Sequence, residues 1–108
     1  MIAVSPSPRP EAPLPRAEAE SPARYAVRAV ATAQTLSRLV NYFAQQDLVP
    51  SAMTLDADGE WFDITIELAG LDDHRARIIA EKMSSTPLVE HVALTRDGTS
   101  LLSLSGSH

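Results

Sequence analysis

The strict alternation of apolar and polar residues over Trp61–Leu68 constrains the fold of this chain more than any other feature. Its apolar residues share one side of an extended chain: Phe62, Ile64, Ile66 and Leu68. This period of two, rich in β-branched and aromatic residues, predicts a strand with one face in a core. Asp58-Gly59 just upstream is a strong hairpin signal, so we expect the strand to pair with residues 51–56.

Length and composition indicate a single small domain. The chain has 108 residues, of which 44% are hydrophobic, enough for a modest core. Domains of this size are marginally stable, so we expect assembly with another chain. There are no cysteines, which excludes disulfides, thiolate metal sites and a cysteine nucleophile.

The charge distribution argues against two classes of partner. The formal net charge is −5, and the sequence contains no cluster of lysine or arginine, so we expect neither nucleic acid nor an anionic membrane as partner. No apolar run is long enough for a membrane span or a secretory signal. The resulting expectation is a cytoplasmic protein.

Residues 1–22 differ in composition from the rest. They hold six of the eight prolines, interspersed with serine, glutamate, alanine and arginine. Such a segment buries too little apolar surface to offset its ordering entropy, so we predict a disordered or polyproline-like tail. A PxxP ligand is the alternative, but this spacing arises easily by chance in a proline-rich segment.

A strand and a helix are predicted next, within a domain over residues 23–98. Alternation from Arg24 onward predicts the first strand. Leu36, Leu39, Val40 and Phe43 then follow the spacing of an apolar helix stripe. Thr32 or Thr35 is the expected N-cap.

The remaining elements follow from the same two periods. Residues 51–56 form the predicted second strand, with Met53 and Leu55 inward. Asp72 or Asp73 caps a second helix, whose predicted apolar stripe is Ala76, Ile79, Ala80 and Met83. Residues 88–95 form the fourth strand, with Val92 and Leu94 inward. Asp97-Gly98 ends the predicted domain, and residues 99–108 are predicted to be a flexible tail.

The order β-α-β-β-α-β predicts an α+β, ferredoxin-like βαββαβ fold, with an antiparallel sheet and two helices on one face. The first and third strands are central in this topology. Five residues are expected on the opposite, open face of the sheet: Arg28, Asp63, Thr65, Glu67 and His91.

No residue constellation predicts catalysis or metal binding. His74 beside Asp72 and Asp73 lacks metal-ligand spacing and reads better as part of a helix start. Asp63 and Glu67 could be an acid/base pair, but a solvated sheet face explains them more simply. We expect no catalytic residue, no metal and no cofactor.

The order of three short segments resembles a known family. They are Thr35-Leu-Ser-Arg-Leu39, Ile64-Thr-Ile-Glu-Leu68 and Leu88-Val-Glu-His-Val-Ala-Leu94. Together they resemble the ACT domain, and in particular the short single-ACT regulatory subunit of acetolactate synthase (acetohydroxyacid synthase) of the isozyme II type. The resemblance covers about residues 24–96.

The resemblance implies a non-catalytic subunit in branched-chain amino-acid biosynthesis. Such a subunit binds the thiamine-diphosphate-dependent catalytic subunit and raises its activity. ACT domains commonly pair side by side, so the resemblance also implies a homodimer with a sheet continuous across two chains. In feedback-regulated members, a branched-chain amino-acid effector sits at that pairing interface.

The effector site implied by the resemblance combines the loop after the first strand with the start of the second strand. The corresponding residues here are Thr32, Ala33, Gln34, Thr35, Leu36, Val49, Ser51, Ala52 and Met53. Effector-binding members carry an Asn and a Gly in the first loop, and another Asn before the second strand. Ala31, Gln34 and Val49 occupy those positions here. Without the glycine and both asparagine side chains, we expect weak or absent effector binding.

Two functions therefore remain open. The first is an activating subunit of acetolactate synthase, and the second is a stand-alone amino-acid sensor of the ACT type. The departures at Ala31, Gln34 and Val49 favour the first.

Overall fold

The computed structural model describes residues 21–105, which form five strands and two helices. In chain order these elements are β1 (Ala23–Val30), α1 (Ala33–Gln45), β2 (Ala52–Asp58), β3 (Trp61–Leu68), α2 (Asp73–Ser84), β4 (Val89–Arg96) and β5 (Thr99–Ser105). The first six reproduce the predicted βαββαβ order, which confirms the α+β, ferredoxin-like fold.

The strands form one antiparallel sheet in the order β2-β3-β1-β4-β5. Strand β1 pairs with β3 on one side and with β4 on the other, so the predicted central position of β1 and β3 is confirmed. Because β1 and β2 each run antiparallel to β3, they run parallel to one another. The end of β1 and the start of β2 therefore lie at opposite ends of the sheet.

Helix α1 begins at a threonine cap. The backbone N–H of Thr35 donates to the Thr32 hydroxyl at 3.3 Å, which satisfies one of the donors left free at a helix start. Leu39 and Phe43, four residues apart, bury this helix against the sheet. Thr35, the other predicted cap, is instead a buried residue on the same face.

Helix α2 begins at Asp72, whose carboxylate accepts from the backbone N–H of Arg75 at 2.7 Å. The predicted stripe is confirmed, because all four of its members are buried: Ala76, Ile79, Ala80 and Met83. Arg96, near the end of β4, donates to the Asp73 carboxylate at 2.6 Å and to the Leu71 carbonyl. These contacts connect the start of α2 with the end of β4.

The predicted direction of Met53 and Leu55 is confirmed, but these two residues and Val40 are more exposed than the sequence suggests. Met53 and Leu55 face the helix layer, in register with Ile66 and Ile64, yet they are 41% and 39% exposed. The reason is that β2 is an edge strand, and β3 is its only neighbour within residues 21–105. Val40 of the predicted α1 stripe is 53% exposed, because the covered side of that helix runs through Thr35, Leu39 and Phe43 instead.

The predicted flexible tail over residues 99–108 is wrong for Thr99–Ser105, which forms β5 against β4. Asp97 and Gly98 both adopt positive φ, at 54° and 77°, which is the geometry of a type I′ hairpin turn. The turn thus reverses the chain and starts another strand. Residues 106–108, and residues 1–20 of the predicted N-terminal tail, lie outside the described part of the chain.

Candidate functional site

The loop between β1 and α1 is the first half of the site implied by the resemblance. The Thr35 hydroxyl donates to the Val30 carbonyl at 2.6 Å, which ties the first turn of α1 back to the end of β1. Its oxygen lies 3.3 Å from the Thr32 hydroxyl, which is the donor in this pair because the Thr35 proton is already committed. Ala33 and Gln34 are exposed, whereas Leu36 is half-buried. Hydrogen bonds therefore hold the loop at Thr32 and Thr35, and the residues between these two threonines are open to solvent.

This loop is also attached to two other segments. The Ala31 N–H donates to the Glu60 carbonyl in the β2–β3 turn at 2.9 Å, and the Val30 N–H donates to the Leu88 carbonyl at 2.8 Å. Leu88 has a φ of +81°, a conformation that a leucine adopts only when its surroundings hold it there. The first half-site thus lies at the end of the sheet where β2 finishes.

The second half of the implied site lies where β2 begins. The Ser51 N–H donates to the Glu67 carbonyl at 2.8 Å, and the Ser51 hydroxyl lies 3.2 Å from the same oxygen. Val49 is 84% exposed, and Ala52 and Met53 are exposed as well. Because Glu67 is near the end of β3, this half-site lies at the far end of the sheet from Glu60.

A single chain does not bring the two half-sites together. They are separated by β2, whose seven residues span about 23 Å when extended. Two copies of β2 paired antiparallel would reverse one strand relative to the other. The start of β2 in one copy would then lie beside the end of β2 in its partner, and with it the partner's Thr32–Leu36 loop.

The second half-site opens onto an apolar groove of about 620 Å³ between α1 and β2. Its lining is mostly apolar and includes Val40, Phe43, Ala44, Leu48, Val49, Pro50 and Met53. Asp47 is the only charged residue among the described residues that line it. An apolar surface of this kind is typical of a protein interface or of a pocket for an apolar side chain.

The open face of the sheet holds a second depression, of about 510 Å³, whose lining includes Arg28. The Arg28 guanidinium lies 2.9 Å from Asp63 and 3.6 Å from both Asp58 and Glu90. It also lies 5.3 Å from the centre of the Trp61 ring, within the range of a cation–π contact. Because three carboxylates already compensate this cation, the depression offers no free positive charge to an anionic ligand.

The described residues contain one contact that resembles part of a catalytic site. His91 Nε2 lies 3.1 Å from the Ser103 hydroxyl on the open face. Within residues 21–105, no carboxylate hydrogen-bonds the His91 ring, so nothing orients it as a general base. No group of three or more His, Asp or Glu side chains in this range could hold a metal ion. His74 lies in the first turn of α2, as predicted.

Tyr25 on β1 and Tyr42 in α1 both have a raised pKa. Burial raises the pKa of Tyr25 well above its usual value of 10.0, and the charge of Tyr42 raises it further, while Arg96 opposes the shift. Burial also raises the pKa of Tyr42, and Arg75 opposes that shift. Both phenols therefore remain neutral hydrogen-bonding groups at ordinary pH, and neither is a candidate general base.

The comparison with protein families decides the family. The family model of the ACT-like domain matches residues 16–100, which include both helices and the first four strands. The chain belongs to the ACT-like domain family. No curated protein matches it.

Membership gives the general role of this ACT-like domain. ACT domains are regulatory rather than catalytic, and the family suggests a regulatory role based on amino-acid binding. The match is to the domain and does not single out acetolactate synthase. Neither helix in residues 21–105 is long and apolar enough to cross a membrane.

The sequence prediction missed the α1 contribution to the groove. Val40 was placed on the apolar stripe of the helix, and Phe43, Ala44 and Leu48 were not connected with β2. Pro50 was a usable signal, because it disfavours helical geometry at Val49 and lies just before the edge strand. An apolar residue on an edge strand beside a helix C-terminus is a reason to expect exposed apolar surface.

Proposed function

We propose that this ACT-like chain is a non-catalytic regulatory subunit that pairs with a second copy through β2 and activates the catalytic subunit of acetolactate synthase. The observation that carries the pairing is the position of the two half-sites at opposite ends of β2. A site that uses residues of both half-sites is complete only when two chains lie side by side. The catalytic partner rests on the sequence resemblance over residues 24–96.

The surface beside β2 supports this pairing. Val49, Met53 and Leu55 expose 84%, 41% and 39% of their surface on or next to an edge strand. Val40 on α1 adds to the same apolar area. A second copy placed against β2 would remove these side chains from water, which is favourable by about 25 cal/mol for each Å² of apolar area.

Effector binding is proposed to be weak or absent. Gln34 carries a Cβ where effector-binding members have glycine, and Ala31 and Val49 replace asparagine side chains that would orient the ligand. The Ala31 N–H is already used by Glu60, and the Thr35 N–H by Thr32. Fewer backbone donors therefore remain for an amino-acid carboxylate at this helix start.

The test is reconstitution with a cognate acetolactate synthase catalytic chain. The full-length protein should co-elute with the catalytic chain and raise its rate of acetolactate formation. Met53→Asp should reduce both effects, because it places a carboxylate in the apolar β2 surface. Ile78→Asp is the matched control, since Ile78 is 40% exposed but lies on α2, which packs over β4 and β5.

Two results would contradict the proposal. Unchanged activity of the catalytic chain at saturating amounts of this protein would remove the activating role. Equal sedimentation of the wild type and the Met53→Asp variant would remove the pairing through β2.

A stand-alone amino-acid sensor is the second candidate, and the apolar groove between α1 and β2 favours it. The groove adjoins Val49 and Met53 of the implied site and could take an apolar amino-acid side chain. This function predicts a rise in melting temperature with branched-chain or other amino acids. Gln34→Trp or Ala52→Trp should suppress the rise. A flat response across the twenty amino acids would exclude it.

A further inference from the structure

Strand β5 forms the second edge of the sheet, opposite β2. It pairs with β4 only, and none of its backbone groups hydrogen-bonds any other element within residues 21–105. An edge strand presents a row of N–H and C=O groups with fixed spacing. The ligand that matches such a row is another extended strand.

The two edges differ in how they are protected. Strand β2 carries Asp56 and Asp58, and Pro50 lies just before it, all of which hinder unwanted pairing. Strand β5 contains neither a charged residue nor a proline, since its sequence is Thr-Ser-Leu-Leu-Ser-Leu-Ser. A register shift at Leu94/Thr95 disturbs only the beginning of β5, and Leu102–Ser105 pairs regularly with β4.

The apolar and polar side chains of β5 lie on opposite faces of the sheet. Leu102 and Leu104 are in register with Leu94 and Val92 of the core, and both are only half-buried. The intervening Ser103 and Ser105 lie on the open face and are exposed. The edge therefore combines free backbone groups with apolar surface that a further strand would cover.

We propose that β5 pairs antiparallel with β5 of a second copy of this chain. A two-fold axis perpendicular to the sheet keeps each face on its own side, so leucine would meet leucine and serine would meet serine. An uncharged strand meets no electrostatic repulsion from its own copy, which favours a second copy over a charged foreign segment. This interface is separate from the pairing through β2 and does not depend on it.

The symmetry gives a sharp geometric expectation. In an antiparallel pair, residues directly opposite one another share a face, so one residue of β5 lies opposite its own copy. Opposed Cα atoms in such a pair are about 4.5–5.5 Å apart. A disulfide accepts Cα separations of about 4.4–6.8 Å, so a single cysteine at that position can link the two chains.

The experiment is a cysteine scan of the full-length chain, which has no native cysteine. Leu102→Cys, Ser103→Cys, Leu104→Cys and Ser105→Cys are oxidised separately and resolved on non-reducing gels. We expect one position to form a covalent dimer much faster than its neighbours. Ala26→Cys is the control, because Ala26 is exposed on the open face but lies on β1 at the centre of the sheet.

A charge-swap experiment tests the same contact without a covalent bond. Ser103→Lys and Ser103→Asp should each lower the sedimenting mass of the full-length chain, because each places like charges at the β5 contact between copies. An equimolar mixture of the two variants should restore it, while circular dichroism shows that each remains folded. Such a restoration requires the two Ser103 positions to face one another across copies.

Three outcomes would overturn the inference. The first is that no β5 position cross-links faster than Ala26→Cys, and the second is that Ser103→Lys leaves the sedimenting mass unchanged. Cross-linking confined to Thr54→Cys, on the β2 edge, would place self-association at β2 alone. Only the β5 inference fails in that last case, and the proposed pairing through β2 stands.

Discussion

The hydroxyl of Tyr25 on β1 donates a 2.9 Å hydrogen bond to the backbone carbonyl of Ala76 in α2. Both residues are fully buried, so this bond joins the central strand to the second helix inside the core. Such a bond contributes about 1 kcal/mol, because the phenol would otherwise hydrogen-bond to water. Tyr25→Phe should therefore lower the free energy of unfolding by about that amount at neutral pH, as measured by urea denaturation.

The same tyrosine predicts a loss of stability in alkali. Its pKa is raised in the folded state, mainly by burial, so the unfolded chain releases the phenolic proton at lower pH than the folded chain. The folded state then binds more protons, and stability must fall as pH rises above about 10. Tyr25→Phe should flatten this alkaline limb. An equally steep limb in the variant would assign the effect to other groups.

Among residues 21–105, Thr35 is the one polar residue that is buried. Thr35→Val keeps the shape of the side chain but leaves the Val30 carbonyl without its hydroxyl donor. The same carbonyl still accepts from the Thr32 N–H, so we expect a loss of about 1 kcal/mol in the free energy of unfolding. Ser37→Ala is the control, because the exposed Ser37 hydroxyl only returns to Gln34 of its own helix and should have little effect.

Arg28 predicts a salt-dependent contribution. Arg28→Met leaves Asp58, Asp63 and Glu90 without their shared cation, and we expect a loss of about 1 kcal/mol at low salt. The loss should shrink in high salt, because ions screen the remaining repulsion. Arg24→Met should cost less, since within residues 21–105 Arg24 forms an ion pair with Glu67 alone and its side chain is 58% exposed. Equal losses at both positions would contradict the shared role of Arg28.

Leu88 predicts a difference between two small residues. At its φ of +81°, glycine avoids a steric cost of about 1 kcal/mol that alanine bears. Leu88→Gly should therefore be more stable than Leu88→Ala, although glycine also gives up the contacts of the Cβ. Leu36, half-buried in α1, should show the opposite order, because glycine is the poorer helix former. Thermal unfolding of the four variants measures both differences.

The fold followed from local periodicity where one face of an element is clearly buried. Ile64, Ile66 and Leu68 alternate strictly, and their strand is where it was expected. Strand β5 was missed because Leu101 and Leu102 are adjacent, which breaks the alternation at the register shift opposite Leu94. The Asp97-Gly98 turn was nevertheless visible in the sequence as a hairpin signal.

The exposure of side chains was harder to predict than the elements themselves. Val40 satisfied the helical spacing, but spacing alone does not say how far the sheet extends beneath a helix. Met53 likewise alternated correctly on a strand that nothing covers within residues 21–105. The residues of the implied effector site came from the resemblance, and their separation became visible only with the strand order.

The parallel course of β1 and β2 has a consequence for measurements on this protein. A ligand held by the Thr32–Leu36 loop of one chain and by the start of β2 in another would bind the pair and not the single chain. Its apparent dissociation constant would then fall as the protein is concentrated, and ligand would in turn promote pairing. Titrations at two protein concentrations would therefore distinguish a shared site from one contained in each chain.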